Sequence, residues 1–260
     1  MEYGIPSLMA FSDTESHAAF CAENGYRFTE LNMTYPWFGT GRLNADELLR
    51  LKGKYGIGFT LHLHDQVNPF ELCDEIRQAS LRMISDALKL AGDAGITRVT
   101  MHLMPGMYSS VNGVKQFIYE HCLDDYLEYV KRFRDTVTQT AGEKTVLCVE
   151  NTSGYHSFQR EAVELLLTSP AFGLTYDVGH DAKTGWKDAE FVQAHSDRIR
   201  HFHIHDCSDG ANHLAFGAGT LELKKYLSMA AGLDCTVLAE VKEAGALLTS
   251  RKYLQDIGMW

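Results

Sequence analysis

The run EIRQASLRMISDALKLAGDAGITRVTMHL, residues 75–103, decides the fold. Its first half carries Ile76, Ala79, Met83, Ala87 and Leu90 at steps of three and four, the spacing of a helix with one apolar face. Gly95 follows as the stop. Arg98–Leu103 then reads as a short buried strand. A helix that stops on a glycine and runs directly into a strand is one step of a βα repeat.

The same step recurs on both sides. Strands are expected near Gly4–Ala10, Phe28–Asn32, Ile57–His64, Thr145–Asn151, Gly173–Asp177, Ile199–His205 and Thr236–Glu240. A second strongly periodic helix runs from Tyr119 through Leu123, Tyr126, Val130 and Phe133 to Val137, with Gly142 after it. Weaker helical patterns cover 14–24, 44–54, 159–168, 188–195, 221–231 and 250–257. Eight strands alternating with eight helices predict an α/β fold, a (β/α)8 TIM barrel, as a single domain over residues 1–260. A doubly wound open sheet fits less well, because the first βα turn has no glycine-rich phosphate loop.

Composition limits the partners. At 45% hydrophobic and 22% charged residues the chain is an ordinary globular one. No apolar run reaches the roughly 18 residues of a membrane span. The opening MEYGIPSLMA has an acid where a secretion signal needs positive charge, which predicts a cytoplasmic protein. A net charge of −10 repels polyanions, so no nucleic-acid partner is expected. The six cysteines form no CxxC pair and read as reduced thiols.

In barrels of this kind chemistry sits at the C-terminal ends of the strands. Six consecutive predicted strands end in His, Glu or Asp: His62-Leu63-His64-Asp65, His102, Glu150-Asn151, Asp177 followed by His180, His201-Phe202-His203-Ile204-His205-Asp206, and Glu240. One such residue is unremarkable. Six on one rim need a partner, since Glu150, Asp177 and Glu240 alone bring three negative charges together in a desolvated place. A divalent cation answers that need, and three carboxylates with one imidazole suit Mn²⁺, with Zn²⁺ and Co²⁺ also accommodated.

These residues lie in motifs: His62 with Asn68 six residues on, MHLMPG at 101–106, VENTSG at 149–154, YDVGH at 176–180, HIHD at 203–206 followed by His213 and GAG at 217–219, and AEV at 239–241. In order and spacing they resemble the xylose-isomerase-like TIM-barrel superfamily, which holds sugar isomerases and epimerases and the endonuclease IV type of abasic-site nucleases. On its isomerase side the resemblance implies one divalent ion, Mn²⁺ or Zn²⁺ first and Co²⁺ or Mg²⁺ next, held by Glu150, Asp177, His203 and Glu240. It implies Glu150 and Glu240 as the proton-transfer pair of an isomerase or epimerase working through an enediolate. It implies His62, His102, His180 and His213 as contacts to a carbohydrate substrate. A homo-oligomer is compatible with it.

On its nuclease side the resemblance implies up to three metals. The first would use His62, His102 and Glu150, and the third His180, His213 and an aspartate where this chain has Ala211. A metal-dependent abasic-site phosphodiesterase is therefore the alternative. His64 shares strand parity with His62, which is preferred for its spacing to Asn68. His201 and His205 share parity with His203 and read as core residues or as groups that orient a ligand from behind. GAG reads as a tight loop before a helix. Trp37, Phe38, Tyr108 and Trp186 are expected in rim loops, and Lys183, Lys187 and Lys242 are the candidate cations for a phosphorylated substrate.

Overall fold

Eight strands pair side by side, all parallel, until the last meets the first. They are β1 (Tyr3–Ile5), β2 (Phe28–Asn32), β3 (Gly58–His62), β4 (Arg98–His102), β5 (Val146–Glu150), β6 (Phe172–Asp177), β7 (Ile199–Ile204) and β8 (Thr236–Ala239). The computed structural model describes residues 1–141 and 144–260, and it is a TIM barrel. Each strand neighbours the next in sequence, and β1 closes the ring on β8 through Tyr3↔Val237 and Gly4↔Leu238. Tyr3 also stacks on Trp260, 5.5 Å between ring centroids.

Period-two alternation divides each strand's side chains between two environments. Leu61, Val99, Met101, Leu147, Val149, Leu174, Tyr176, Phe202 and Ile204 join the continuous apolar core. The alternate residues are polar and meet across the barrel. Thr100 and Thr175 hydroxyls bond at 3.0 Å, skipping over β5. His62 on β3 reaches Glu150 on β5. An interior usually filled by branched aliphatics is here lined with hydroxyls, imidazoles and carboxylates.

Most expected helices are present. Asn44 caps Ala45–Tyr55 by accepting the N–H groups of Asp46 and Glu47, and Asp74–Ala94 ends on Gly95 at φ 66°. The departures have physical causes. The first strand was expected to run to Ala10 and stops at Ile5, because Pro6 has no N–H to give a sheet. The periodic run from Tyr119 is not one helix. Tyr119 lies in the short turn Ile118–His121, and the long helix Leu123–Thr140 starts after Cys122, whose ψ of 47° breaks the ladder. Gly142 lies outside the described residues. The last helix begins earlier than expected, at Ala244.

Two hairpins interrupt the βα alternation. One pairs Tyr108–Val111 with Val114–Phe117 across Asn112-Gly113, both at positive φ, and the other pairs Asp206–Ser208 with Ala211–Leu214. The GAG segment is a loop before the helix Leu223–Gly232. The buried Asp206 carboxylate accepts the N–H groups of Cys207, Gly217, Gly219 and Leu221, and tethers that loop. Phe38, expected at the rim, is fully buried and packs edge-on against His17.

His17 fastens the loop after β1. Its Nε2 accepts the Leu8 N–H and its Nδ1–H donates to the Asp13 carbonyl, both at 2.8 Å. Both bonds require the neutral ring, and burial lowers its pKa below the ordinary 6.5 against a weaker pull from Asp13. The unfolded chain therefore takes up a proton below pH 6.5 that the folded chain refuses. This contribution to stability is intact above pH 6.5 and is lost as pH falls through the folded value. His17→Gln is expected to cost about 2 kcal/mol near pH 7 and to flatten the fall in urea midpoint between about pH 7 and about pH 5. Identical pH slopes in the two proteins would refute this role.

Candidate active site

Parallel register sets the rim residues beside one another. It pairs His102 with Glu150, and Asp177 with His203. One ligand atom from each of Glu150, Asp177, His203 and Glu240 falls within 4.8 Å of the others, and all four residues are buried. Glu150 is the centre. Its Oε2 lies 3.1 Å from His62 Nε2 and 3.4 Å from His102 Nε2, and its Oε1 lies 3.2 Å from His203 Nδ1 and 3.8 Å from His180 Nδ1. Asp177 Oδ2 lies 3.0 Å from His180 Nδ1, and Oδ1 lies 3.3 Å from His205 Nε2. Glu240 Oε2 lies 3.7 Å from His203 Nδ1, while Lys242 Nζ holds Oε1 at 2.6 Å.

The electrostatics follow from that crowding. Burial opposes ionising Glu150, Asp177 and Glu240, yet surrounding positive groups hold each below its usual value. For Glu150 the main one is His203, for Asp177 it is His180, and for Glu240 it is Lys242. The imidazoles shift in return. Burial works against charging His62 and His180, but Glu150 raises the first to about 9 and Asp177 raises the second to about 11. His213 goes the other way, to about 4, through burial. Its Nδ1–H donates to the Glu240 carbonyl at 3.0 Å.

The donor set fits a divalent cation. Asp177 Oδ2, Glu240 Oε2 and His180 Nδ1 are buried without an aligned hydrogen-bond partner, although each lies within 4 Å of an opposite group in the cluster. Buried polar atoms that approach one another yet do not bond are what a shared central ion would satisfy.

Other expected residues fall into place or out of it. His62 enters the cluster and His64 does not, because β3 ends at His62. His64 Nδ1 instead accepts the Gln66 N–H. Asn68 bonds the Tyr119 hydroxyl rather than His62, so the six-residue spacing is not what orients His62. His205 groups with His180 and His213. Tyr108 is on the exposed hairpin under Lys115, and Trp37 and Trp186 stack on Tyr35 and Tyr226. Lys183 and Lys187 are exposed. Of the three candidate lysines, Lys242 is the one paired with a cluster carboxylate.

Two contributors were not foreseen. Glu30 on β2 lies beneath the cluster, buried, 3.2 Å from His203 Nε2. Asn151 fixes the backbone of Asp177 at both ends, donating from Nδ2 to its carbonyl and accepting its N–H at Oδ1, each at 2.9 Å. The visible signal for Glu30 was an acid flanked by Thr29 and Leu31 inside a strand.

A family model described as xylose isomerase-like TIM barrel matches residues 18–257. No curated protein matches the chain. A solved D-tagatose 3-epimerase-like protein superposes with a TM-score of 0.79 at 20% identity, over 98% of this chain and 96% of its own. The apo form of 3-keto-D-glucoside 4-epimerase from E. coli gives 0.77 at 16% identity, over the full length of both chains. The IOLI protein, solved with a zinc atom, gives 0.71 at 15% identity, over 99% of this chain and 98% of its own.

Removing Asn151 would leave a buried N–H and a buried C=O of Asp177 unpaired. Asn151→Ala is expected to lower unfolding free energy by about 2–4 kcal/mol, while Ser153→Ala, an exposed neighbour, stays within about 0.5 kcal/mol. Urea titration of both variants checks it.

Proposed function

Because the chain belongs to the xylose isomerase-like TIM-barrel family, we propose that it is a divalent-metal-dependent isomerase or epimerase of a sugar or keto-polyol. The observation that carries this reading is the buried convergence of Glu150, Asp177, His203 and Glu240 on one point, with the two glutamates on strand ends separated by β6 and β7. A solved D-tagatose 3-epimerase-like protein and a solved 3-keto-D-glucoside 4-epimerase share the fold, which agrees with the reading.

The four residues would hold the ion, which when bound supplies Lewis-acid polarisation of a substrate carbonyl. The proton work falls to the chain. Glu150 or Glu240 takes the proton from the carbon next to that carbonyl. Return to the same carbon from the opposite face inverts it and gives an epimer. Return to the neighbouring carbon gives an isomer. Each glutamate has a second oxygen faced by a group able to keep it charged: Lys242 for Glu240, His62 and His102 for Glu150. His62, His102, His180 and His213 line the same cluster and would orient substrate oxygens. The six cysteines are free, which accords with a reducing compartment, and no described helix is long and apolar enough to cross a membrane.

The second reading, a metal-dependent phosphodiesterase, is favoured by the gathering of His62, Asp65 and His102 beside Glu150 and of His180, His205 and His213 beside Asp177. It needs more than one ion. Elemental analysis of untagged protein is expected to give one ion per chain. Two or three zinc ions, with metal-dependent nicking of an abasic duplex, would put the second reading first. In D₂O, the wild type is expected to exchange solvent deuterium into its sugar, and Glu150→Gln and Glu240→Gln each to slow this by about 100-fold or more with the fold retained. Undiminished exchange in both variants would remove the proton-transfer roles.

A further inference from the structure

The second strand supplies no atom to the ion cluster, yet it carries a carboxylate directly behind it. Glu30 projects across the interior to β7. Its Oε1 is 3.2 Å from His203 Nε2, and its Oε2 is 3.5 Å from His201 Nε2 and accepts the Thr60 hydroxyl at 3.1 Å. The backbone is pinned as well, because the Ser7 hydroxyl donates to the Glu30 carbonyl at 2.9 Å. His201 is anchored in turn by Thr236, its Nδ1 at 2.7 Å from Oγ1. Glu30, His201 and His203 are all nearly or wholly buried.

A buried carboxylate is retained against its desolvation cost only where donors meet it. His203 has two nitrogens with two different neighbours. Nδ1 faces Glu150 and Glu240, and Nε2 faces Glu30. A histidine can give a lone pair to a cation from one nitrogen only if the proton sits on the other, and that N–H must then find an acceptor. Glu30 is at ion-pair distance from Nε2 but not yet aligned for a hydrogen bond. Ligation at Nδ1 leaves the proton on Nε2 and gives Glu30 that donor.

We propose that Glu30 is a positioning residue for the ion site, holding His203 with its proton on Nε2 and its Nδ1 lone pair turned toward Glu150, Asp177 and Glu240. The inference rests on the ion-site reading above. It adds a carboxylate–imidazole pair that acts on the ion without touching it, set on a strand outside the ligand set. His201 and Thr60 keep the carboxylate from turning away.

The test is Co²⁺ binding to chelator-stripped protein, by competition with a colorimetric chelator and by the visible absorption of the bound ion. Glu30→Leu removes the acceptor, and Glu30→Gln keeps the shape and one acceptor oxygen. Glu30→Leu is expected to weaken Co²⁺ binding about 10- to 100-fold. Glu30→Gln is expected to weaken it less, and both should shift the absorption, with far-UV dichroism of the metal-free proteins unchanged. Should the leucine variant fail to fold, Glu30→Gln carries the test alone. Wild-type affinity and an unshifted spectrum in the folded variants would overturn the inference while leaving the ion site standing. A folded wild type that binds no Co²⁺ would overturn the ion site, and this inference with it.

Discussion

Negative charge packed where water has little access is the constraint that the rest of this molecule answers. Glu150 and Asp177 end two strands of one barrel and Glu240 follows a third, all at nearly the same point, and all are buried. Four imidazoles stand around Glu150 alone, and a lysine closes the outer side of Glu240. Beneath them lies a second polar layer of Thr60, Thr100, Thr175, His201 and Glu30. The apolar core is thereby pushed out between strands and helices, where alternate strand residues join it. Breaking one partner of a buried charge pair typically costs about 3–5 kcal/mol, so a single change in either layer lowers stability.

The same constraint explains why much of the fold was legible in the chain. Strands with alternating apolar and ionisable residues are unusual, and TMH, CVE, TYD and HFH each announce one side for the core and another for the interior. The short strands β2 to β8 fall within a few residues of where this alternation puts them. The four expected ion ligands converge because each lies within one residue of the end of its strand, a position that period two and parallel register fix together.

What was not legible has other causes. Glu30 sits in mid-strand, and only three dimensions reveal that its neighbour is five strands away in sequence order. His62 and His64 share parity on paper, but a strand that stops after the first turns the second outward. Phe38 lies outside the periodic elements, and it packs against a histidine twenty-one positions earlier. The Asn112-Gly113 turn is a different case. Asn-Gly is a strong hairpin signal, and the hairpin it turns stands outside the regular βα alternation.

The seam of the barrel has a consequence for how the chain comes to exist. A ribosome delivers β1 first and β8 last, and the two are held by a two-pair register with a tyrosine stacked on the final tryptophan. Every strand in between can pair with a neighbour already made, but β1 keeps one edge open until β8 has emerged. Glu240 arrives with that last strand. Ring closure and completion of the four-residue cluster are thus one late, long-range event in synthesis, of the kind that folds slowly and leaves an open sheet edge for a chaperone to guard.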